Sequence, residues 1–395
     1  MKDFREGIME TAESFYVDIF DKSSAETARR CAEKSKEIAA GFLNALTEAV
    51  VEAASRENGG ERISSILFSC LHSSIFLHRY LIRIDVMGKN FYRDAPMAVS
   101  YWDAGDIYSL FEQDVKEIRL RLSEKFPRLR EYEIDQVRYA YAFYYHRLAA
   151  SFVREMVEGI IESTGKLYDG ARAEDLVKIL FGEYMGEADI LFHIGRKKLY
   201  SLTAVRPSVR KSVLCCDGVS QERYFWIHAD KKNIQPRFLE WDRMVRPGIR
   251  DQRLIYEALD KRSYLKVNLE KEISFMDIIS SPIFMVSKEF ANIIRMYCPW
   301  MRFKYLVLFD ERNKRSASYQ IPCLPEIDCL DDDSELGGGG NVIRKGILQG
   351  NRIGGTCIFR LKGAGGRYVM VDLAFAESAY RREVKGMDIE EFVVR

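Results

Sequence analysis

The feature that most constrains this chain is a segment it contains twice. "FMVSKEFANIIR" (Phe284–Arg295) lies over "VMVDLAFAESAYR" (Val369–Arg381), so that Met285, Val286, Phe290 and Ala291 fall on Met370, Val371, Phe375 and Ala376. Ser287 falls on Asp372, and both are types whose side-chain oxygen caps a helix N-terminus. Further on, Met301–Leu308 lies over Met387–Val394. The offset is 85 residues before the helix end and 86 after it, a single insertion. An apolar run, a cap, a helical stretch and a second apolar run predict strand, capped helix, strand. The two copies span about 282–308 and 367–394. Caps and core contacts are what folding itself demands, so the repetition predicts architecture before it predicts a ligand.

The rest of the 395 residues divides near residue 190. Up to there the pattern predicts an all-α helical bundle over 1–190. Ser23 or Ser24 reads as an N-cap, with Glu26 completing a capping box. Ile38, Phe42, Leu46 and Val50 then recur at helical spacing. Further helices are predicted through "RISSILFSCLHSSIFLHRYLIRI", from near Asp106, through "DQVRYAYAFYYHRLAASFVREMVEGII", and through "AEDLVKILFGEYMG". From 191 to 395 short β-rich runs appear, among them "ILFHIG", "LYSLTAV", "RYFWIHA", "FKYLVLF" and "TCIFRL". "GAGG" (Gly363–Gly366) reads as a hairpin loop, and "SELGGGGN" as a surface loop. The fold class predicted is α+β: a helical bundle followed by an α+β domain with two strand–helix–strand repeats.

The formal net charge of +1 predicts neither a nucleic-acid binder nor an acidic mimic of one. Charge is unevenly spread, with 25 Lys+Arg against 33 Asp+Glu up to Ile190 and 35 against 26 beyond it. A basic body suggests packing against the acidic head or contact with an acidic partner. The eight cysteines contain no CxxC, which predicts a reducing, cytoplasmic setting. The charged N-terminus lacks the apolar core of a signal peptide, and charged residues interrupt the long apolar stretches, so no membrane span is expected.

Catalytic signatures are missing from the sequence. There is no GxxxxGK[ST], no GxGxxG between a strand and a helix, no HExxH and no GxSxG. The chain is therefore expected to be no enzyme, with no cofactor and no resident metal. Two segments remain as binding candidates. The acidic loop "CLDDDSE" carries Asp331, Asp332, Asp333 and Glu335, which could present a negative patch to a basic partner or hold a divalent cation. The segment 223–253 sets Trp226 and Trp241 among Arg237, Arg243, Arg246, Arg250 and Arg253. Trp and Arg dominate interface energetics, and they also stack on bases and pair phosphates. The vicinal thiols Cys215 and Cys216 read as small apolar residues at a β-edge, and the Tyr141, Tyr144 and Tyr145 stripe as core or pocket lining.

The C-terminal part also resembles a known family. A "VS" strand-to-helix cap (Val286, Ser287) is followed by "YQIPCLPEIDCLDDDS" (Tyr319–Ser334), "IFRL" (Ile358–Leu361) and a terminal "GMDIEEF" (Gly386–Phe392). Together these resemble the immunity-protein family of bacterial polymorphic-toxin systems, first catalogued as a domain of unknown function. The resemblance spans about Asp217 to Arg395 and leaves the helical half unaccounted for. It implies a cytoplasmic protein that binds and neutralises a cognate toxin, with no catalytic residues to carry over. The alternative reading from the residues is a nucleic-acid or nucleotide-binding regulator that uses segment 223–253.

Overall fold

The computed structural model describes residues 4–55, 62–163, 173–195, 222–232, 235–245, 252–270, 274–337, 342–363 and 366–395. Two compact units emerge, Met1–Ser212 and Val213–Arg395. Both combine helices with sheets, and the chain is α+β throughout.

The first unit is not a helical bundle. It runs α1 (Phe4–Glu33), α2 (Ser35–Ser55), β1 (Ile63–Cys70), α3 (His72–Phe76), β2 (Leu81–Met87), β3 (Ala98–Asp103), α4 (Phe111–Lys125), α5 (Glu131–Ser163), β4 (Ala173–Glu183) and β5 (Ala188–Gly195). The strands form one sheet in the order β3-β2-β1-β4-β5, with β1 and β4 parallel and the other pairs antiparallel. The expected second helix is thus β1, α3 and β2, and the expected fifth helix is β4. The physical reason is that β1 and β2 are buried almost throughout, so the period-2 alternation that marks a strand is erased. In β4 the alternation survives, with Val177, Ile179 and Phe181 buried and Lys178 exposed, but its acidic and leucine content suits a helix equally well. The boundary moves accordingly: β5 pairs along β4, so a cut at 190 would divide a strand. Gly182 is obligatory at this pairing, because a Cβ there would lie 2.1 Å from the Glu187 carbonyl oxygen.

Ser23 and Ser24 sit inside α1 rather than at a cap, and Ser23 donates its hydroxyl to Asp114 at 2.5 Å. Tyr141 and Tyr145 of α5 also donate to Asp114, both at 2.7 Å, so the tyrosine stripe is core. By length and composition α2 is apolar enough to cross a membrane. Here its Phe42 stacks on Phe68 at 5.4 Å and meets Trp102 edge-on at 5.2 Å, which places its apolar face on the sheet.

The second unit runs β6 (Tyr224–Ala229), β7 (Arg237–Phe238), α6 (Trp241–Met244), α7 (Gln252–Ala258), β8 (Arg262–Asn268), β9 (Ile278–Ile279), β10 (Met285–Val286), α8 (Lys288–Tyr297), β11 (Phe303–Asp310) and β12 (Arg315–Pro322). It continues with β13 (Glu326–Ile327), β14 (Glu335–Gly337), β15 (Val342–Lys345), β16 (Ile347–Leu348), α9 (Gly350–Ile353), β17 (Ile358–Leu361), β18 (Val369–Asp372), α10 (Leu373–Arg381) and β19 (Met387–Val394). Two six-stranded sheets result, β7-β8-β11-β12-β10-β9 and β13-β17-β18-β6-β19-β16. The series β8-β11-β12-β10-β9 and β16-β19-β6-β18-β17 run in the same sequence of directions. The expected runs "LYSLTAV" and Cys215–Cys216 lie outside the described residues.

Both expected caps form. Ser287 accepts a hydrogen bond from the Phe290 N–H at 3.2 Å, and Asp372 accepts one from the Phe375 N–H at 2.7 Å. The helices they start bury Phe290, Ala291 and Ile294 on one side, and Phe375, Ala376 and Ala379 on the other. Burying each phenylalanine is worth about 1.5–3 kcal/mol.

Replacing Ser287 by Ala should cost about 1 kcal/mol in urea denaturation, because the first-turn N–H loses its acceptor. Asp372 is a sharper test. Burial raises its carboxyl to about 6 from a usual 3.8, against the lowering effect of the Phe375 N–H. A folded value above the unfolded one means that stability is full below the unfolded value and is lost as pH rises through about 6. Asp372→Asn keeps the acceptor and removes this loss. The variant should match the parent below about pH 4 and exceed it by about 3 kcal/mol at pH 7. A difference between the two that does not change with pH would contradict the assignment.

Candidate functional site

The acidic loop is a built turn. Its first residue, Asp331, donates its N–H to the Ile347 carbonyl at 2.9 Å. Ser334 closes the other end, donating to the Ile347 carbonyl and accepting from the Ile347 N–H, both at 3.0 Å. The Asp331 carboxylate accepts the Asp333 N–H at 3.0 Å and the Gln349 Nε2 at 3.1 Å. These bonds, the Asp333 N–H foremost, hold its carboxyl below the usual range. Asp333 pairs with the Arg395 guanidinium at 2.5 Å. Asp332 and Glu335 remain exposed, the latter opposite Lys345 at the start of the β14–β15 hairpin. The four carboxylates therefore divide: Asp331 shapes the turn, and Asp332, Asp333 and Glu335 face outward. No cluster suited to a metal ion occurs among the described residues.

Segment 223–253 is not one surface. Trp226 lies in β6, half-buried, between His228 at 4.3 Å and Tyr368 at 4.5 Å. Trp241 packs from α6 onto the core formed by Val245, Ile255, Leu265 and Leu306. Arg243 is exposed and pairs with Glu240 at 2.9 Å. Arg246 and Arg250 lie outside the described residues. Trp226 and the acidic turn belong to the second sheet and Trp241 and Arg243 to the edge of the first, so the structure does not gather the sequence candidates into one site.

One surface escaped the sequence reading. On the first sheet, Tyr305, Val307 and Phe309 of β11 point to the same face as Arg262, Tyr264 and Lys266 of β8, their partners in register. Tyr264 is 77% exposed, Tyr305 41% and Phe309 43%. Ser316 and Ser318 of β12 extend the exposed face on the other side, and Gln320, at the same parity, is buried and bonded to Arg295. In "FKYLVLFD" apolar residues occupy both parities, the signature of a strand buried on two faces. Only the even positions are buried. The usable clue was the partner strand "RSYLKVN", which alternates cleanly.

Groups with chemical potential are already committed. Glu112 accepts from His78, Arg138 and Tyr80; burial would raise it, but these bonds hold it at about 2, so it is a poor base. Cys298 and Cys357 approach to 3.1 Å, and burial with the neighbouring thiol pushes Cys357 up to about 12, which removes its nucleophilicity at neutral pH. A groove of 320 Å³ between α5 and the β4–β5 turn is lined by Phe143, His146, Arg147, Phe181 and Glu183. Glu183 there accepts the Tyr139 hydroxyl at 3.0 Å.

A packing role for Trp226 has a measurable consequence. Trp226→Ala should lower folding stability by about 2–4 kcal/mol, because it empties the space between His228 and Tyr368. A stable variant with altered binding alone would return Trp226 to the list of contact residues.

No protein-family model matches the chain, and no curated protein matches it in sequence. The resemblance to immunity proteins rests on the motifs quoted above.

Proposed function

We propose that this chain is a non-catalytic binding protein that sequesters a cognate protein toxin in the bacterial cytoplasm. The observation that carries the reading is the acidic turn. The turn is clamped to Ile347 at both ends, by the Asp331 N–H and the Ser334 hydroxyl, so the backbone that carries its outward carboxylates is fixed before any partner arrives. A preorganised charged surface costs less ordering entropy on binding, and complementary charge speeds encounter. The motif that resembles the immunity family, Tyr319–Ser334, runs directly into this turn.

The two strand–helix–strand segments are, in this reading, copies of one unit. The matching strand directions support it. The first copy takes its middle strand, β12, from the hairpin that follows β11, and the second takes β6 from far upstream. Duplication supplies a broad support, and the connections between the copies are left to vary for recognition.

The test is affinity capture of the tagged full chain from its native cytosol at physiological salt. A single stoichiometric protein is expected, toxic when expressed alone and harmless with this chain. Asp332→Lys with Glu335→Lys should weaken that complex at least tenfold, about 1.4 kcal/mol, and mainly through a slower association rate. A partner without toxicity would sink the immunity reading. Unchanged binding by the double variant would remove the acidic turn from the interface.

A further inference from the structure

The exposed face of the first sheet has a composition of its own. Along β8 the order is Arg262, Tyr264, Lys266, and beside it along β11 Tyr305, Val307, Phe309. Each cation thus stands next to an aromatic ring in register: Arg262 by Tyr305, and Lys266 by Phe309. Tyr264 sits between Tyr305 and Phe309, on the diagonal, at roughly 7–8 Å from each. Arg237 extends the same face on β7, since its partner Asn268 shares the parity of Lys266. At the other margin Arg295 of α8 lies over the Phe303 ring at 4.3 Å and donates to Gln320. Helix α8 covers β10 and β12, and the face is open beyond it. Of the positions on this face in β7, β8, β11 and β12, none is acidic. Glu311, in the turn after β11, pairs with Lys266 at 2.7 Å.

We infer that this face is a binding platform for single-stranded nucleic acid, with Tyr305, Tyr264 and Phe309 stacking on bases and Arg237, Arg262 and Lys266 meeting phosphates. Protein interface cores are depleted of charge, and of lysine in particular, with the charges set out at a polar rim. Here the cations are interleaved with the rings. Single-strand binders need that interleaving, because each nucleotide brings one base and one phosphate. The ring spacing is within reach of neighbouring bases in an extended strand. Stacking accepts every base, so the platform should show little sequence preference. The near-zero net charge is no obstacle, since binding depends on the local field and not on the sum over the chain. The inference is independent of the toxin-binding reading, which uses another surface.

The experiment is fluorescence anisotropy of the full chain with a fluorescein-labelled oligo-dT of about twelve nucleotides, the matching oligo-rU, and a duplex of the same length. Binding to the single strands is expected to exceed binding to the duplex, whose bases are already stacked. Tyr264→Ala and Phe309→Ala should each weaken it about tenfold, and Tyr264→Phe should leave it unchanged. Arg262→Gln should reduce the slope of log affinity against log salt by about 0.7 between roughly 50 and 200 mM. Circular dichroism and thermal midpoints should match the parent for the Tyr264 and Arg262 variants, whose side chains are exposed, and Phe309→Ala, whose ring is more than half buried, is compared with the parent well below its own midpoint. Absence of binding at low salt would overturn the inference, as would equal affinity for the duplex or indifference to both alanine variants. Capture of the protein partner that is lost in Tyr264→Ala and Phe309→Ala, with no oligonucleotide bound, would also overturn it and assign the face to protein.

Discussion

Phe290 and Phe375 meet ring to ring, 5.7 Å between centroids, where α8 and α10 bring the two sheets of the C-terminal unit together. Each is fully buried, and each occupies the first turn of a helix whose start is fixed by a side-chain cap. The contact therefore depends on Ser287 and Asp372 as much as on the rings. Around it the halves are tied by polar bonds that leave little freedom. The Tyr297 hydroxyl donates to the Ala374 carbonyl at 2.9 Å, and the Ala229 N–H donates to Ser280 Oγ at 2.7 Å. Asp277 and Lys385 exchange bonds, the Asp277 N–H to the Lys385 carbonyl at 3.0 Å and the Lys385 N–H to the Asp277 carboxylate at 2.6 Å. Buried backbone groups without such partners would cost 1–3 kcal/mol each, on the order of the hydrophobic gain per ring.

The N-terminal unit solves a different problem. Its helices bury polar groups that need several partners each. Asp114 is almost fully buried and accepts from Ser23, Tyr141 and Tyr145, which draws α1, α4 and α5 to one point. On the sheet, Asp85 is fully buried and bonded to Arg83 at 2.8 Å, with the guanidinium 4.8 Å from the Tyr184 ring. Burial raises the Asp85 carboxyl and Arg83 opposes it. A paired buried charge adds little net stability over an apolar pair, yet each partner makes the other indispensable.

The two candidate surfaces of the C-terminal unit differ in how they are displayed. The acidic turn is a loop clamped to the edge strand β16 and stands at the margin of the second sheet. The aromatic face is the open part of the first sheet, held by ladder bonds on both sides of β11. Rigid display lowers the ordering cost of binding in both cases.

Much of the C-terminal unit was legible in the sequence. The capped helices, the strands on either side of them, and the β17–β18 hairpin all follow from local signals: a side-chain oxygen before an apolar helix face, and Gly at the turn. Local chemistry sufficed because the residues that form each element also mark its ends. The sheet of the first unit was not legible, because strands buried on both faces lose the alternation that distinguishes them from buried helices. The candidate surfaces show the same limit. The outward carboxylates of the acidic turn could be named from the sequence, since charge stays in water wherever the loop goes. That Trp226 packs against Tyr368 on the second sheet and Trp241 onto the core of the first, while Tyr264, Tyr305 and Phe309 face out, was decided only by the tertiary structure, through which face of each sheet its neighbours cover. An aromatic side chain is stable on either side of a strand, and only the neighbouring elements determine whether its ring becomes core or surface.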